Sequence, residues 1–227
     1  KTPLSAPFFI AQKLKFFEQS CVAVTIEETI GGKKSFEKVV NGEADFGTSS
    51  DSVIVFKSLM RSDFSALTTF VQSDNDVKIV TLANSNIRNS KHLVGKRIGL
   101  TKGTAGEYFL STYLAISGID INQVTIKNLA PDKLQQALEK EQVDVIVPWE
   151  PYAYRSIHNA VKPTRLLNTK NLYTLTFNLV SKKLKTDDQL KSAQCIIGAL
   201  QKAINYIIAE PKGSQHIIIE HLGLNQA

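Results

Sequence analysis

The stretch best equipped for chemistry runs Gly95-Lys-Arg-Ile-Gly-Leu-Thr-Lys-Gly-Thr-Ala-Gly-Glu-Tyr-Phe-Leu110, and it reads as a buried strand, a glycine-bearing turn and the first turns of a helix. A helix opens with backbone N–H groups that lack intrahelical partners and with the positive end of its dipole, so it attracts negative or electron-rich groups. Gly103 lets a ligand approach the backbone closely. The same residues fit a competing arrangement, a capping box in which Thr104 caps the N3 amide and Glu107 reaches back to the N-cap amide. Both are non-covalent chemistry. His92, His158, His216 and His221 show no metal-protease spacing, and neither a GxSxG elbow nor a phosphate-binding loop occurs. The expectation is a protein that binds, with no catalytic residue, no metal and no cofactor.

Composition narrows the partners. The chain has 227 residues, 43% of them hydrophobic and 21% charged, enough for one large domain or two lobes. A net charge of +6 is spread along the sequence, and its longest basic clusters, Lys33-Lys34 and Lys182-Lys183-Leu184-Lys185, lack interleaved aromatics. They read as solvated surface, which argues against nucleic acid, while the modest positive field favours small anions. Cys21 and Cys195 are too few for a disulfide scaffold. One bridge between them is possible; two separate buried thiols are the default reading. No apolar run reaches transmembrane length and no signal peptide precedes Lys1, so membrane contact would need a partner or a flanking segment. Lys1 leads straight into a packed-looking pattern, which suggests that the natural beginning is missing.

The elements that must position the turn alternate β and α. Phe8, Ala11, Leu14 and Phe17 follow helical spacing after Pro7, a helix-opening residue. Val22–Ile26 reads as a strand, Gly31-Gly32 as a loop, and Phe36, Val39 and Val40 as one face of a short helix closed by Gly42. Ala44–Gly47 is the next strand, and Thr48–Ser52 leads into a helix over Val53–Leu59. The arrangement from Val24 to Asp45 returns from Val124 to Asp144, an internal echo that predicts two lobes of similar βαβ construction. The β-rich segments Ala66–Gln72 and Val77–Leu82 come before the first crossover, and the strand Leu172–Val180 returns the chain. A long helix follows from Asp187 to Ala209, stopped by Pro211. The predicted lobes are residues 1–83 with 175–227, and 84–174.

In parallel α/β sheets ligands lie beyond the carboxyl ends of strands. That rule nominates Ser5-Ala6-Pro7, Gly31-Gly32, Thr48–Asp51, Gly103–Glu107 and Val147–Tyr152, facing one another across a cleft if two strands join the lobes. At Ser49 and Ser50, helix capping competes with ligand contact. At Trp149 core packing competes with a place in a pocket wall, and its position at a strand end between Pro148 and Glu150 favours the wall.

Several of these pieces resemble the periplasmic solute-binding proteins of the sulfonate, taurine, nitrate and thiamine-precursor group, the SsuA/THI5-like or NMT1-like family. They are Ala6-Pro-Phe-Phe-Ile-Ala-Gln12, Gly42-Glu-Ala-Asp-Phe-Gly47, Leu93-Val-Gly-Lys-Arg-Ile-Gly99 with Lys102-Gly-Thr104, and Gln142-Val-Asp144 with Trp149-Glu-Pro-Tyr152. The resemblance implies a type II periplasmic-binding-protein fold, two lobes joined by crossover strands with a ligand cleft between them. It implies a monomer outside the cytoplasm that closes on a small anionic or zwitterionic solute and presents it to an ABC permease. The same fold also serves as an extracytoplasmic sensor fused to a kinase or cyclase, and a pyrimidine-precursor binder or enzyme is a further branch. Carried over by position, Ser49, Ser50, Gly103, Thr104 and Ala105 would supply hydroxyl and amide donors, and Trp149 and Glu150 would line the second lobe. Pro7 and Gly32 complete the expected site. Glu107 departs from the sulfonate-type pattern, because its carboxylate would repel an anion unless the helix cap holds it.

Overall fold

A computed structural model describes residues 2–223. The N-terminal apolar spacing produces α1 (Ala6–Lys13), with Pro7 in the first turn, where its missing N–H would have had no intrahelical acceptor. Next comes α2 (Gly31–Asn41), which buries Phe36, Val39 and Val40 and stops at Gly42, whose φ of 81° is the left-handed conformation that favours glycine. The chain continues through β1 (Phe46–Ser50), α3 (Asp51–Ser58), β2 (Phe64–Ser73), β3 (Val80–Leu82), β4 (Arg97–Leu100) and α4 (Ala105–Ile116). After these come β5 (Thr125–Asn128), α5 (Leu134–Glu139), β6 (Val145–Ile146), α6 (Tyr152–His158) and β7 (Thr164–Leu166). The last elements are β8 (Leu175–Lys182), α7 (Asp187–Ala209) and α8 (Pro211–Leu222).

These elements fall into two units, the first running to Gln72 and resuming at Thr176, the second spanning Ser73–Leu175. The first crossing therefore comes earlier than the patterning predicted. Val80 and Thr81 pair with Ile146 and Val145, and Val80–Leu82 also pairs with Thr164–Leu166, so β3 is built into the second unit's sheet.

In the first unit the sheet order is β1-β8-β2, with β1 antiparallel to β8 and Ser49 opposite Asn178. Its core packs Phe36, Val39 and Val40 of α2 with Val53 and Val180. Two expectations need correction here. Val22–Ile26 alternates in exposure as a strand would, yet it forms no ladder, because no described strand runs alongside it. The expected Ala44–Gly47 strand instead occupies Phe46–Ser50, since pairing of Thr48, Ser49 and Ser50 with β8 outweighs the weak strand propensity of serine. The cysteines also depart from the default reading. Cys21 and Cys195 form a disulfide with a Cα–Cα distance of 5.7 Å, tying the segment after α1 to α7.

The second unit holds a five-stranded sheet ordered β5-β4-β6-β3-β7. Here β4 runs parallel to β5 and β6, while β3 is antiparallel to β6 and β7. One face is covered by α5, whose Leu134, Ala137 and Leu138 pack with Val80, Leu82, Val143 and Ile146.

Candidate functional site

Each unit gathers its own share of the nominated residues at a strand end. In the first unit, Gly32 lies in the opening turn of α2, and a Cβ added there would sit 2.9 Å from Ser49 Cα and 3.2 Å from Ser50 N. Only glycine lets the start of α2 close onto the end of β1 so tightly. The N-cap of α2 is Ile30, which has no side-chain acceptor to offer, so it does not cap the amides that open this helix. Beside them Ser49 is fully buried, and its hydroxyl has no hydrogen-bond partner among the described residues. A buried polar group without a partner is costly, which makes this hydroxyl a candidate ligand contact.

Ser50 has a different task. Its Oγ accepts from Val53 N at 3.4 Å and lies 2.9 Å from Ser52 Oγ, so it caps α3. Pro7 is buried in the first turn of α1, and neighbouring Phe8 stacks edge-on against Phe70, which in turn meets Phe177. That aromatic row reaches Gly32, because a Cβ at Gly32 would lie 3.0 Å from the Phe177 ring. Pro7 itself is a buried helix-opening residue, and it is its neighbour Phe8 that joins this row. Asn178, missed in the sequence, is buried opposite Ser49; it donates to the Ser49 carbonyl at 3.4 Å and its Oδ1 accepts from the Thr69 hydroxyl at 2.6 Å. Nothing in the apolar-looking run Leu172–Val180 marked that asparagine as more than a tolerated polar residue.

In the second unit the turn after β4 and the turn after β6 meet. A Cβ at Gly106 would fall 2.8 Å from the Val147 carbonyl oxygen, so a glycine in the first turn of α4 brings Gly103, Thr104 and Ala105 beside the Val147–Glu150 segment. Gly103 adopts φ 70°. The expected capping box is not formed. Thr104 Oγ1 donates backwards to the Thr101 carbonyl at 2.6 Å, and Glu107 Oε2 accepts from Gly103 N at 2.6 Å, one residue short of the N-cap amide. The amides that open α4 therefore keep no side-chain cap. Glu107 is held in place by that bond and keeps its negative charge beside the turn.

Trp149 is half-buried, bridges Val77 and meets Tyr152 edge-on at 6.1 Å. It is neither sealed in the core nor free. Glu150 accepts from Tyr154 N at 2.9 Å, so one carboxylate oxygen caps α6. Opposite it stands Asp76, only 5% exposed, whose carbonyl accepts from Glu150 N at 3.2 Å. Burial and then the nearby Glu150 charge push the Asp76 carboxyl up to about 7, with Lys78 opposing the rise. The sequence hid this group, because Ser73-Asp-Asn-Asp76 reads as a polar turn and its burial arises from the long-range Val77–Trp149 bridge.

Residues 2–214 match the family model described as NMT1/THI5 like. A Bacillus subtilis protein provisionally named for binding aliphatic sulfonates is 28% identical over 187 residues, which cover 80% of this chain and 56% of that relative. The chain thus spans a little over half of that protein's length. Among solved structures, the periplasmic aliphatic sulphonate binding protein SsuA of Escherichia coli aligns with a TM-score of 0.79 at 17% identity, covering 98% of this chain and 77% of that one. The alkanesulfonate-binding protein SsuA of Xanthomonas axonopodis pv. citri, bound to MOPS, gives 0.81 at 22%, covering 97% and 76%. At such identities the structural likeness establishes the fold, that of the periplasmic binding proteins. Taken with the match along most of its length, the chain belongs to the NMT1/THI5-like family.

Proposed function

We propose that the chain is the solute-binding component of an ABC importer, capturing a small organic anion or zwitterion of the sulfonate class outside the cytoplasm and passing it to a permease. The observation that carries this reading is the Ser49 hydroxyl, buried without a partner beside the start of α2. A second helix start without a side-chain cap, the backbone amides of Thr104 and Ala105 at the head of α4, offers the same kind of donor in the other unit, while Gly103 N is already bonded to Glu107. In the second unit we assign Trp149 to the solute's apolar part and Glu150 to an amine where the solute carries one. The reaction is binding, with no bond made or broken. The Cys21–Cys195 disulfide supports an oxidising, extracytoplasmic compartment.

Micromolar affinity needs about 8 kcal/mol. One helix terminus contributes roughly 0.3–2 kcal/mol, so several donors and aromatic contact must act together. Isothermal calorimetry with ethanesulfonate, taurine, nitrate and a methylpyrimidine is the direct test. Saturable binding of a sulfonate, lost when Ser49→Ala and Thr104→Ala are combined, is the expected result. Binding of the pyrimidine alone, or sulfonate binding indifferent to both substitutions, would overturn the assignment.

A further inference from the structure

The second unit has another concave surface, at the opposite end of its sheet from the turns just described. The Thr101–Thr104 turn follows β4 and Val147–Glu150 follows β6, whereas a cavity of 590 Å³ is bounded by residues that precede those same strands, Val94 and Lys96 before β4 and Val143 and Asp144 before β6. The loop after the antiparallel β3 closes it. Its volume falls within the range of roughly 300–1,000 Å³ typical of small-molecule sites.

The lining separates into an apolar floor and a polar rim. Leu82, Ile87 and Val143 form the floor, and Asn84, Asn86, His92 and Lys96 stand around it. Two carboxylates also border the cavity, but both are already engaged. Glu141 is bonded to Lys162 at 2.6 Å, and Asp144 accepts from Arg97 through its backbone N at 2.8 Å and its guanidinium at 2.8 and 3.1 Å. Arg97 and Lys162 hold the two acids below their ordinary range. By contrast, Lys96 makes no ion pair among the described residues, its charge acting on Asp144 only as the last and smallest cause that lowers that acid. The His92 Nδ1 accepts from Arg88 N at 3.1 Å, so the neutral ring carries its proton on Nε2 and keeps that donor open. Arg88 adds positive charge nearby, its guanidinium bonded to the carbonyls of Ser85 and Ile87 with no acid in the contact. With the acids neutralised by partners outside the cavity, its remaining charge is positive.

We propose that this cavity is a second binding site, taking a small organic anion with an apolar body. The anionic group sits against Lys96, with the His92 Nε2–H and the Asn84 and Asn86 side-chain amides as further donors. The apolar body lies over Leu82, Ile87 and Val143. The site is independent of the solute-binding turns, so it stands or falls separately from the transport reading.

Benzoate is a suitable probe, with benzylamine and benzyl alcohol as cationic and neutral controls. In two-dimensional amide NMR, benzoate should produce saturable shifts at Asn84, Asn86, His92 and Lys96, and these should persist in Trp149→Ala. Lys96→Gln should weaken that binding at least fivefold while leaving the rest of the spectrum and the melting temperature unchanged. Asn86→Asp, which adds negative charge to the rim, should weaken it without touching Lys96. The proposal is overturned if benzoate moves only Thr104 and Trp149, if benzylamine binds this end as well as benzoate does, or if both rim variants bind at full strength.

Discussion

Single side chains differ here in whether their polar atoms are already spoken for. Ser49 and Ser50 are neighbours of one type, yet Ser50 caps α3 while the Ser49 hydroxyl has no partner. Ser49→Ala should therefore leave the unliganded protein as stable or slightly more stable, while weakening sulfonate binding by about tenfold, the value of a hydrogen bond to a charged group. Calorimetry and a melting curve read the two effects separately. Trp149→Ala should weaken binding by about tenfold or more through lost aromatic contact, and an unchanged affinity would remove that residue from the site. Asp76 gives a pH signature. Its folded pKa is raised to about 7 from 3.8, so the unfolded chain loses this proton first as pH rises. Stability attributable to Asp76 is thus present at low pH and declines between those values, by on the order of 4 kcal/mol. In urea melts at pH 5 and pH 8, Asp76→Asn should flatten that decline and be the more stable protein at pH 8.

At the scale of elements, two glycines bring helix starts onto strand ends. Gly106→Ala would force a Cβ to within 2.8 Å of the Val147 carbonyl and push α4 from the β6 turn. It should lower the melting temperature and weaken binding at both Thr104 and Trp149, whereas Thr104→Ala leaves the helix in place and costs the unliganded fold its bond to the Thr101 carbonyl, worth about 1 kcal/mol. Much of this layer was readable from sequence. Asp187–Ala209 forms the expected helix because Thr186 caps it and Pro211 lies just past its end, both local signals. The boundaries of β1 were less readable, since serines enter a strand only when a partner such as β8 pairs with them. Val22–Ile26 shows the converse, an alternating pattern with no neighbouring strand among the described residues to complete a ladder. Among the candidate residues, Gly103, Thr104 and Ala105 lie at the helix start the patterning predicts, but the hydrogen bonds there were not foreseeable, because Thr104 can donate to Thr101 as easily as it can accept from its own helix. Asp76 and Asn178 escaped notice since their burial depends on strands remote in sequence.

For the whole molecule, the disulfide is the longest-range covalent constraint. Its cysteines are separated by 174 positions, and closing so long a loop should stabilise the fold by on the order of 3–5 kcal/mol in a chain-entropy account. Paired replacement of Cys21 and Cys195 by serine should lower the melting temperature of the first unit, to which both belong, and a reducing agent should do the same to the unmodified protein. The chain also has one tryptophan, and it is Trp149, half-buried at the turn after β6 and bridged to Val77. All indole emission therefore originates at that turn. The intact protein carries its own optical reporter, and a change in wavelength or intensity upon mixing with a solute can be followed in a stopped-flow cell without attaching a dye.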